Sequence, residues 1–329
     1  MCHGPIRSQL RSCAFDPYDA TVSDAPLTPK LRLVRAPDRY STAQLLVATS
    51  AVLFGMQGIL ASLAYGHGAS VGLVLAVRSI IFALLALFLL NHARRSTLRG
   101  HGRVVAIACF TSIAGPLCYY GAIARMPPET VTMIVFLYPA LTVLGARLFG
   151  RILLTRLAIG VTLMTMVGVA LSIGAPVGNL DIVGIILSLS AALTFATYFL
   201  AAERGLEGVD PLAWLGITTL AALIVLVPLT PLLGGLDMPD TPGILAVLSV
   251  AIIGSLLPSL FQTAGLMRLG SAATSLVATL EIATVVIAGV FLLGSRPGPI
   301  TIAGALLVLI GAATAPSAMR RGVRLPSTL

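Results

Sequence analysis

Residues 131–173 contain two long apolar runs joined by a short basic turn. The first run reads VTMIVFLYPALTVLGARLFG, the turn reads RILLTR, and the second run reads LAIGVTLMTMVGVALSI. At ~1.5 Å per helical residue, runs of about 20 and 17 residues are long enough to cross a hydrocarbon core ~30 Å thick. The segment therefore predicts a membrane hairpin, and a similar passage at residues 271–315 predicts a second one.

The composition excludes an ordinary soluble domain. Hydrophobic residues make up 57% of the chain and charged residues only 10%, against roughly 25% charged in soluble domains. In a bilayer, backbone groups find partners only in helices or in closed barrels. Barrel strands would alternate apolar and polar residues, whereas runs such as ILSLSAALTFATYFLAA are apolar on every face. We therefore predict an all-α integral membrane protein.

The positive net charge of +9 does not indicate nucleic-acid binding, because the basic residues flank apolar runs singly or in small groups. The four cysteines form no CxxC pair and the histidines do not cluster, so neither a disulfide framework nor a metal site is expected. Nucleotide-hydrolysis and HExxH motifs are absent. We expect no enzyme activity and no cofactor.

Ten apolar runs are long enough to be membrane spans. The first five form a predicted repeat at residues 43–173 and the last five a second repeat at 182–315, between a flexible N-terminal tail (1–42) and a C-terminal tail (316–329). The runs are 43–65, 71–90, 104–124, 131–149, 157–173, 182–202, 212–233, 243–267, 271–294 and 299–315.

Lysine and arginine residues near the span ends predict the orientation. Sixteen of them lie at ends that a ten-span chain places on one side, and only Arg125 and Arg296 lie on the other. Because basic residues in short loops stay in the cytoplasm, both termini are predicted to be cytoplasmic.

The two halves resemble each other. Gly304 follows Gly160 by 144 residues, and Arg268 follows Arg125 by 143. Each half has five spans, an odd number, so the second half is predicted to be inserted upside down relative to the first. Inverted repeats are typical of secondary transporters, in which exchanging the conformations of two halves opens a site alternately to each side. The alternative is a duplicated membrane scaffold without transport.

Prolines at matching places in the halves predict interrupted spans. Pro116 in span three and Pro258 in span eight each remove a backbone hydrogen bond and kink a helix. Interruptions at corresponding positions indicate a binding site near the membrane midplane. Tyr119, Tyr120 and Gln262 lie beside them and are candidate substrate contacts. Packing kinks without ligand contact are the alternative.

Two charged residues lie within apolar runs, Arg78 in span two and Glu281 in span nine. A charge near mid-bilayer costs at least ~2.5–3.5 kcal/mol, so both side chains are expected to face the protein interior. Because burial favours the neutral form of a carboxyl group, Glu281 is a candidate for binding and releasing a proton during transport. The alternative is a structural ion pair or hydrogen bond that holds the two halves together. For Arg78, contact with a substrate anion and pairing within the protein both stay open.

Spans one and six carry further polar side chains, of which Gln57 and Tyr198 are candidate substrate contacts. Thr194 and Thr197 lie beside Tyr198, but single threonines in membrane helices usually bond to their own backbone. In the last span of each half, Gly160 with Gly168 and Gly304 with Gly311 place small residues on one helix face. These glycines predict close helix packing.

The halves resemble the paired EamA-type domains of the drug/metabolite transporter superfamily, over about residues 45–172 and 183–314. The resemblance rests on short patterns in order and spacing, among them FLYPAL, whose Pro139 is a third predicted kink. The others are Phe54-Gly55, Arg78, YYGAIARM from Tyr119, Asp210-Pro211 and the TLE that ends at Glu281. The family often has Gly-Glu at the ends of spans four and nine, where this chain has Gly150-Arg151 and Gly294-Ser295, and often a proline where it has Ile282.

The resemblance implies a ten-helix carrier with both termini inside, which exports or exchanges small metabolites such as amino acids or drug-like compounds across a bacterial cytoplasmic membrane. The expected partners are the substrate, the lipid bilayer and a coupling proton; a homodimer stays open. A channel or a membrane sensor on the same fold is the alternative function.

Overall fold

The computed structural model describes residues 37–92, 101–152, 155–173, 181–207, 209–293 and 298–320. Within these ranges every regular element is helical, which confirms the all-α class. Residues 1–36 and 321–329, most of the two predicted tails, lie outside the described residues. The helices are α1 (Pro37–Gly66), α2 (Val71–His92), α3 (Gly102–Ile123), α4 (Pro128–Val135), α5 (Tyr138–Leu148), α6 (Arg156–Ile173), α7 (Ile182–Gly205), α8 (Pro211–Leu229), α9 (Thr241–Ala251), α10 (Leu257–Leu269), α11 (Ser271–Ala278), α12 (Leu280–Leu293) and α13 (Pro299–Arg320).

Most of the predicted spans coincide with helices that are long and apolar enough to cross a membrane. Eight described segments meet this criterion, some of them built from two consecutive helices. The predicted second and fifth spans coincide with the shorter apolar helical segments Val71–Leu87 and Arg156–Ser172. The structure thus supports a multi-pass membrane protein, and the number of ten spans stays a prediction.

Predicted span four is two helices rather than one. The helical ladder breaks between α4 and α5, where the N–H of Leu137 bonds to the carbonyl of Ile134 at 3.2 Å, a tighter turn than in an α-helix. Pro139, the second residue of α5, has no N–H to offer the carbonyl of Val135. The break is therefore explained by a proline one turn further along.

Predicted span nine is also two helices, although it contains no proline. The break falls at Thr279, between α11 and α12, and lies 143 residues after Phe136 at the break in span four. The Thr279 hydroxyl donates to the carbonyl of Leu276 at 2.6 Å, and the N–H of Ile282 bonds to the carbonyl of Thr279 at 3.0 Å. A hydroxyl that competes for a backbone carbonyl, together with a tight turn, interrupts the helix.

The other two predicted kinks differ from each other. Helix α3 continues through Pro116. Pro258 is the second residue of α10 and follows a π-helical turn at Ile252–Leu256, which joins α9 to α10. The carbonyl of Pro258 accepts a hydrogen bond from the Ser50 hydroxyl at 2.8 Å, so span eight is tied to span one at this place.

The two halves interlock in a symmetric pattern. Helix α7 of the second half packs against α3 of the first, and the corresponding helix α1 packs against α9 and α10. The corresponding helices α2 and α8 pack against each other, as do α6 and α13. These contacts are the ones expected of two similar halves related by an approximate two-fold rotation.

Glycines allow the closest of these contacts, between α6 and α13. A Cβ atom on Gly304 would lie 2.6 Å from the carbonyl oxygen of Gly168, and one on Gly311 would overlap the Thr165 hydroxyl. The predicted close packing at Gly168, Gly304 and Gly311 is therefore present, whereas a Cβ on Gly160 would meet nothing within 4 Å.

Polar side-chain contacts join helix ends. His67 after α1 contacts Asp240 before α9 at 2.9 Å, and Arg125 after α3 contacts Asp181 before α7 at 3.2 Å. Asp240 also caps α9, because its carboxylate accepts a hydrogen bond from the N–H of Gly243 at 2.9 Å. The hydrogen bonds from His67 and from Gly243 lower the pKa of Asp240 below its usual value.

Candidate functional site

A cavity of about 160 Å³ lies between the two halves. Predicted spans one to four of the first half and six to nine of the second half all contribute to its wall. The polar side chains that line it are Gln57, Arg78, Ser79, Thr111, Ser112, Tyr119, Thr132, Tyr138, Tyr198, Thr218, Thr219, Ser259, Gln262, Thr263 and Glu281; the apolar ones are Phe54, Phe82, Pro116, Val135, Phe136, Phe195, Phe199 and Leu215. The cavity therefore offers many hydrogen-bonding groups inside an aromatic frame.

Six of the seven side chains singled out from the sequence line this one cavity: Gln57, Arg78, Tyr119, Tyr198, Gln262 and Glu281. The seventh, Tyr120, is fully buried behind the wall, where its hydroxyl accepts a hydrogen bond from the Gln57 amide at 2.5 Å. Pro116 lines the cavity, whereas Pro139 and Pro258 do not. The structure thus brings together residues from six separate spans.

Glu281 lies at the break in span nine. It is the second residue of α12. Within the described residues its carboxylate forms neither an ion pair nor a side-chain hydrogen bond. Tyr119 and Tyr138 lie within electrostatic reach of it. The alternative considered for Glu281, a structural ion pair or side-chain hydrogen bond, is therefore not formed in the part of the chain that the structure describes.

Arg78 reaches the cavity from α2. Its guanidinium carbon lies 5.0 Å from the centroid of the Phe82 ring, a cation–π arrangement. Its Nε atom is buried and has no hydrogen-bond partner, and no carboxylate of the described residues pairs with it. Tyr120 and Tyr198 are the aromatic hydroxyls within its electrostatic reach. The cation is held by packing and keeps hydrogen-bonding capacity unused.

An aromatic cluster in the wall was not predicted. Tyr138 stacks on Phe199 with ring centroids 5.6 Å apart and an angle of 6° between the planes, and it meets Phe195 edge-on at 6.3 Å. Aromatic residues within apolar runs look like ordinary lipid-facing or core residues in a sequence. The spacing of the repeat is a signal that could have found Tyr138, because it precedes Glu281 by 143 residues and follows the equivalent break.

Thr194 and Thr197 do not line the cavity. Their hydroxyls donate to the carbonyls of Ser190 at 2.9 Å and Leu193 at 2.8 Å, one turn earlier in α7. This is the backbone bonding that the sequence favoured for them.

A second cleft of about 560 Å³ lies at the opposite end of α7 from Asp181. Arg151, after α5, contacts Glu203 near the end of α7 at 2.6 Å, and the hydroxyl of Ser271 at the start of α11 donates to the same carboxylate at 2.6 Å. Glu203 thereby ties the ends of predicted spans four, six and nine together. Arg151 stands where the related family often has glutamate.

The apolar helical bundle, with a cavity shared by its two halves, is that of a multi-pass membrane protein. The model of the EamA-like transporter family matches residues 41–174 and 182–315. The chain therefore belongs to this family, which confirms the resemblance seen in the sequence.

The fold is also that of a solved structure described only as a crystal structure of a protein. The two chains share 19% identity with a TM-score of 0.72, over 85% of this chain and 98% of that one. At this identity the likeness shows the fold alone. No curated protein matches the sequence.

Proposed function

We propose that the chain is a secondary transporter that exports a small metabolite, an amino acid or a drug-like compound, across the bacterial cytoplasmic membrane by alternating access. In this proposal its ten spans form two inverted five-helix repeats, and both termini are cytoplasmic. Family membership supports transport as the activity.

The observation that carries the proposal is the cavity between the halves, lined by residues next to both helix breaks. Phe136 and Tyr138 flank one break, and Glu281 follows the other. Interrupted helices at corresponding positions are a feature of transporter binding sites. The breaks allow one half of each span to move while the other half stays packed, which is what opening the cavity to one side requires.

Glu281 is the proposed proton-binding residue. It lines the cavity, and its carboxylate is unpaired among the described residues. The groups that face it are the Tyr119 and Tyr138 hydroxyls, which can donate hydrogen bonds to the charged form. Protonation in one conformation and release in the other would couple metabolite movement to the proton gradient.

The test compares metabolites inside and outside cells that express the wild type, Glu281→Gln or Glu207→Gln. Glu207 is an exposed glutamate outside the cavity and serves as the matched control. We expect one class of compound to accumulate outside with the wild type and with Glu207→Gln. With Glu281→Gln we expect export to lose its dependence on external pH.

Two results would contradict parts of this proposal. If no compound differs between cells with and without the protein, export is wrong, and uptake or sensing becomes the better function. If Glu281→Gln exports with unchanged pH dependence, the proton role is wrong. A channel on the same fold is recognised by flux that rises with concentration without saturating, whereas a carrier saturates.

A further inference from the structure

We propose that Arg78 and Ser79 form a subsite for the carboxylate of the transported compound, and that the cavity accepts a small monocarboxylate with a flat apolar body. The inference deepens the proposed transport function and rests on it for the role of the cavity. The anionic end of the ligand binds at α2, and Glu281 binds the proton.

Two unsatisfied polar groups on α2 carry the inference. The Nε atom of Arg78 and the hydroxyl of Ser79 are both buried and without a hydrogen-bond partner, and both residues line the cavity. Buried polar groups in folded proteins almost always have partners. Two adjacent donors that lack one at a cavity wall indicate an acceptor that arrives with the ligand.

Among the described residues no carboxylate forms an ion pair with Arg78. Asp181, Asp240 and Glu203 are engaged with Arg125, His67 and Arg151 at the ends of helices. Glu281 lines the same cavity but forms no ion pair with Arg78. A partly buried guanidinium is stabilised by an opposite charge, so a negatively charged ligand group is favoured there.

The geometry of Arg78 selects a carboxylate. Because the ring of Phe82 lies 5.0 Å from the guanidinium carbon and covers one face, the N–H groups in the guanidinium plane remain for the ligand. Two parallel N–H donors match the two oxygens of a carboxylate. Arg78 is the only arginine or lysine among the cavity-lining residues, so a single negative charge is balanced whereas a doubly charged phosphate is not.

The size and wall of the cavity define the rest of the ligand. A volume of about 160 Å³ is close to the ~150 Å³ of an apolar cavity that holds benzene. Tyr138, Phe195 and Phe199 form an aromatic wall for a flat apolar body. Benzoate has the charge, shape and size that these features require.

The test measures binding to the purified full-length protein in detergent by calorimetry, with benzoate, benzylamine and benzyl alcohol as probes. We expect benzoate to bind and the two probes without a carboxylate to bind at least about tenfold more weakly. Arg78→Gln should weaken benzoate binding at least about tenfold. Arg78→Lys should have a smaller effect, because lysine keeps the positive charge but lacks the two parallel N–H donors of the guanidinium group. Ser79→Ala should weaken it by a few-fold.

Arg268→Gln is the matched control, since Arg268 is exposed and lines the other cleft. It should bind benzoate like the wild type. If Arg78→Gln fails to fold, as judged by its elution and melting temperature, Arg78→Lys and Ser79→Ala decide the question. Failure of the wild type to bind benzoate, equal binding of benzylamine, or unchanged affinity in the Arg78 and Ser79 variants would overturn the proposal.

The outcome is separable from that of the proposed function. Benzoate binding that depends on Arg78, in a protein that moves no metabolite, supports the subsite and contradicts transport. Export of a compound without an anionic group overturns the subsite and supports transport.

Discussion

Gly55 sets how closely α1 approaches Glu281. A Cβ atom at this position would lie 2.7 Å from the backbone oxygen of Glu281 and 2.7 Å from the Cβ of Thr284. Only glycine lets the helix backbone come this near to the break in span nine. The Phe54-Gly55 pattern in the sequence is explained by the structure: Phe54 lines the cavity, and Gly55 allows α1 to pack closely against α12.

The variant Gly55→Ala should push α1 away from α12. We expect it to destabilise the protein by about 1–3 kcal/mol, as overpacking of a tight contact does. Gly160→Ala is the matched control, because its Cβ would meet nothing within 4 Å and alanine favours a helix. Thermal unfolding in detergent measures both. Equal melting temperatures for the two variants would contradict the close approach.

The contact between Asp240 and His67 should make stability depend on pH in one direction. The His67 hydrogen bond and the N–H of Gly243 lower the pKa of Asp240 in the folded protein, so the folded state binds its proton less readily than the unfolded chain does. This contribution is present above the unfolded pKa of ~3.9 and is lost as the pH falls through the lower folded value.

Asp240→Asn should therefore lower the melting temperature at pH 7. Its effect should be smaller near pH 3, because below the unfolded pKa of ~3.9 protonation of the unfolded chain removes part of the contribution. Thermal unfolding at the two pH values checks this. A destabilisation of the same size at both would show that the charge of Asp240 contributes nothing.

Some of the cavity residues could be predicted from the sequence and others could not. Arg78 and Glu281 could be predicted to face the interior because a charge in an apolar run is costly in a bilayer, and the structure places both at the cavity. The place of Tyr138 and Phe199 in the cavity wall was missed because aromatic rings are common both on lipid-facing surfaces and in the core. Their role depends on helix rotation, which uniformly apolar runs do not encode.

Among the helices, prolines were incomplete guides to the breaks. Pro139 explains the break in span four, but α3 continues through Pro116, and the break at Thr279 has no proline. A proline can be read directly from a sequence. Threonine hydroxyls bond to backbone carbonyls both at helix breaks and within continuous helices, and a sequence does not distinguish the two cases. The equivalent breaks emerge only when both halves are compared in the structure.

The charged contact at the ends of spans four, six and nine should couple these helices. Side chains of Arg151 and Glu203 are only 14% and 23% exposed, so their ion pair is shielded from solvent. We expect Glu203→Ala to cost about 2–3 kcal/mol, since it leaves Arg151 without its charge partner and Ser271 without its acceptor.

A double-mutant cycle isolates this interaction. Arg151→Ala combined with Glu203→Ala should destabilise the protein by less than the sum of the single changes, by about 1 kcal/mol or more. Strict additivity of the two losses, measured by unfolding in detergent, would mean that the pair is not coupled.

For the whole molecule, the sequence predicted the all-helical membrane class and the two similar halves, because both follow from composition and from spacing along the chain. How the halves interlock could not be predicted, because apolar runs without polar faces do not reveal their neighbours. Three side-chain contacts each join helix ends that a ten-span order places on the same side: His67–Asp240, Arg125–Asp181 and Arg151–Glu203.

The orientation of the whole chain is open to a direct test. Reporter fusions after residues 97, 152, 208 and 329 should all give a cytoplasmic signal, because the basic residues near these points retain them inside. A periplasmic signal at residue 329 would contradict the even number of spans.

Alternating access is tested most directly by the accessibility of the cavity from each side. The variant Ser259→Cys, in a chain whose four native cysteines are replaced, places one thiol in the cavity wall. A membrane-impermeant maleimide is added to whole cells, where it reaches the outer face of the membrane. It is also added to inverted vesicles, where it reaches the cytoplasmic face. We predict labelling from both sides, slowed from both by the transported compound. Labelling from one side only, whatever the conditions, would contradict a carrier that alternates.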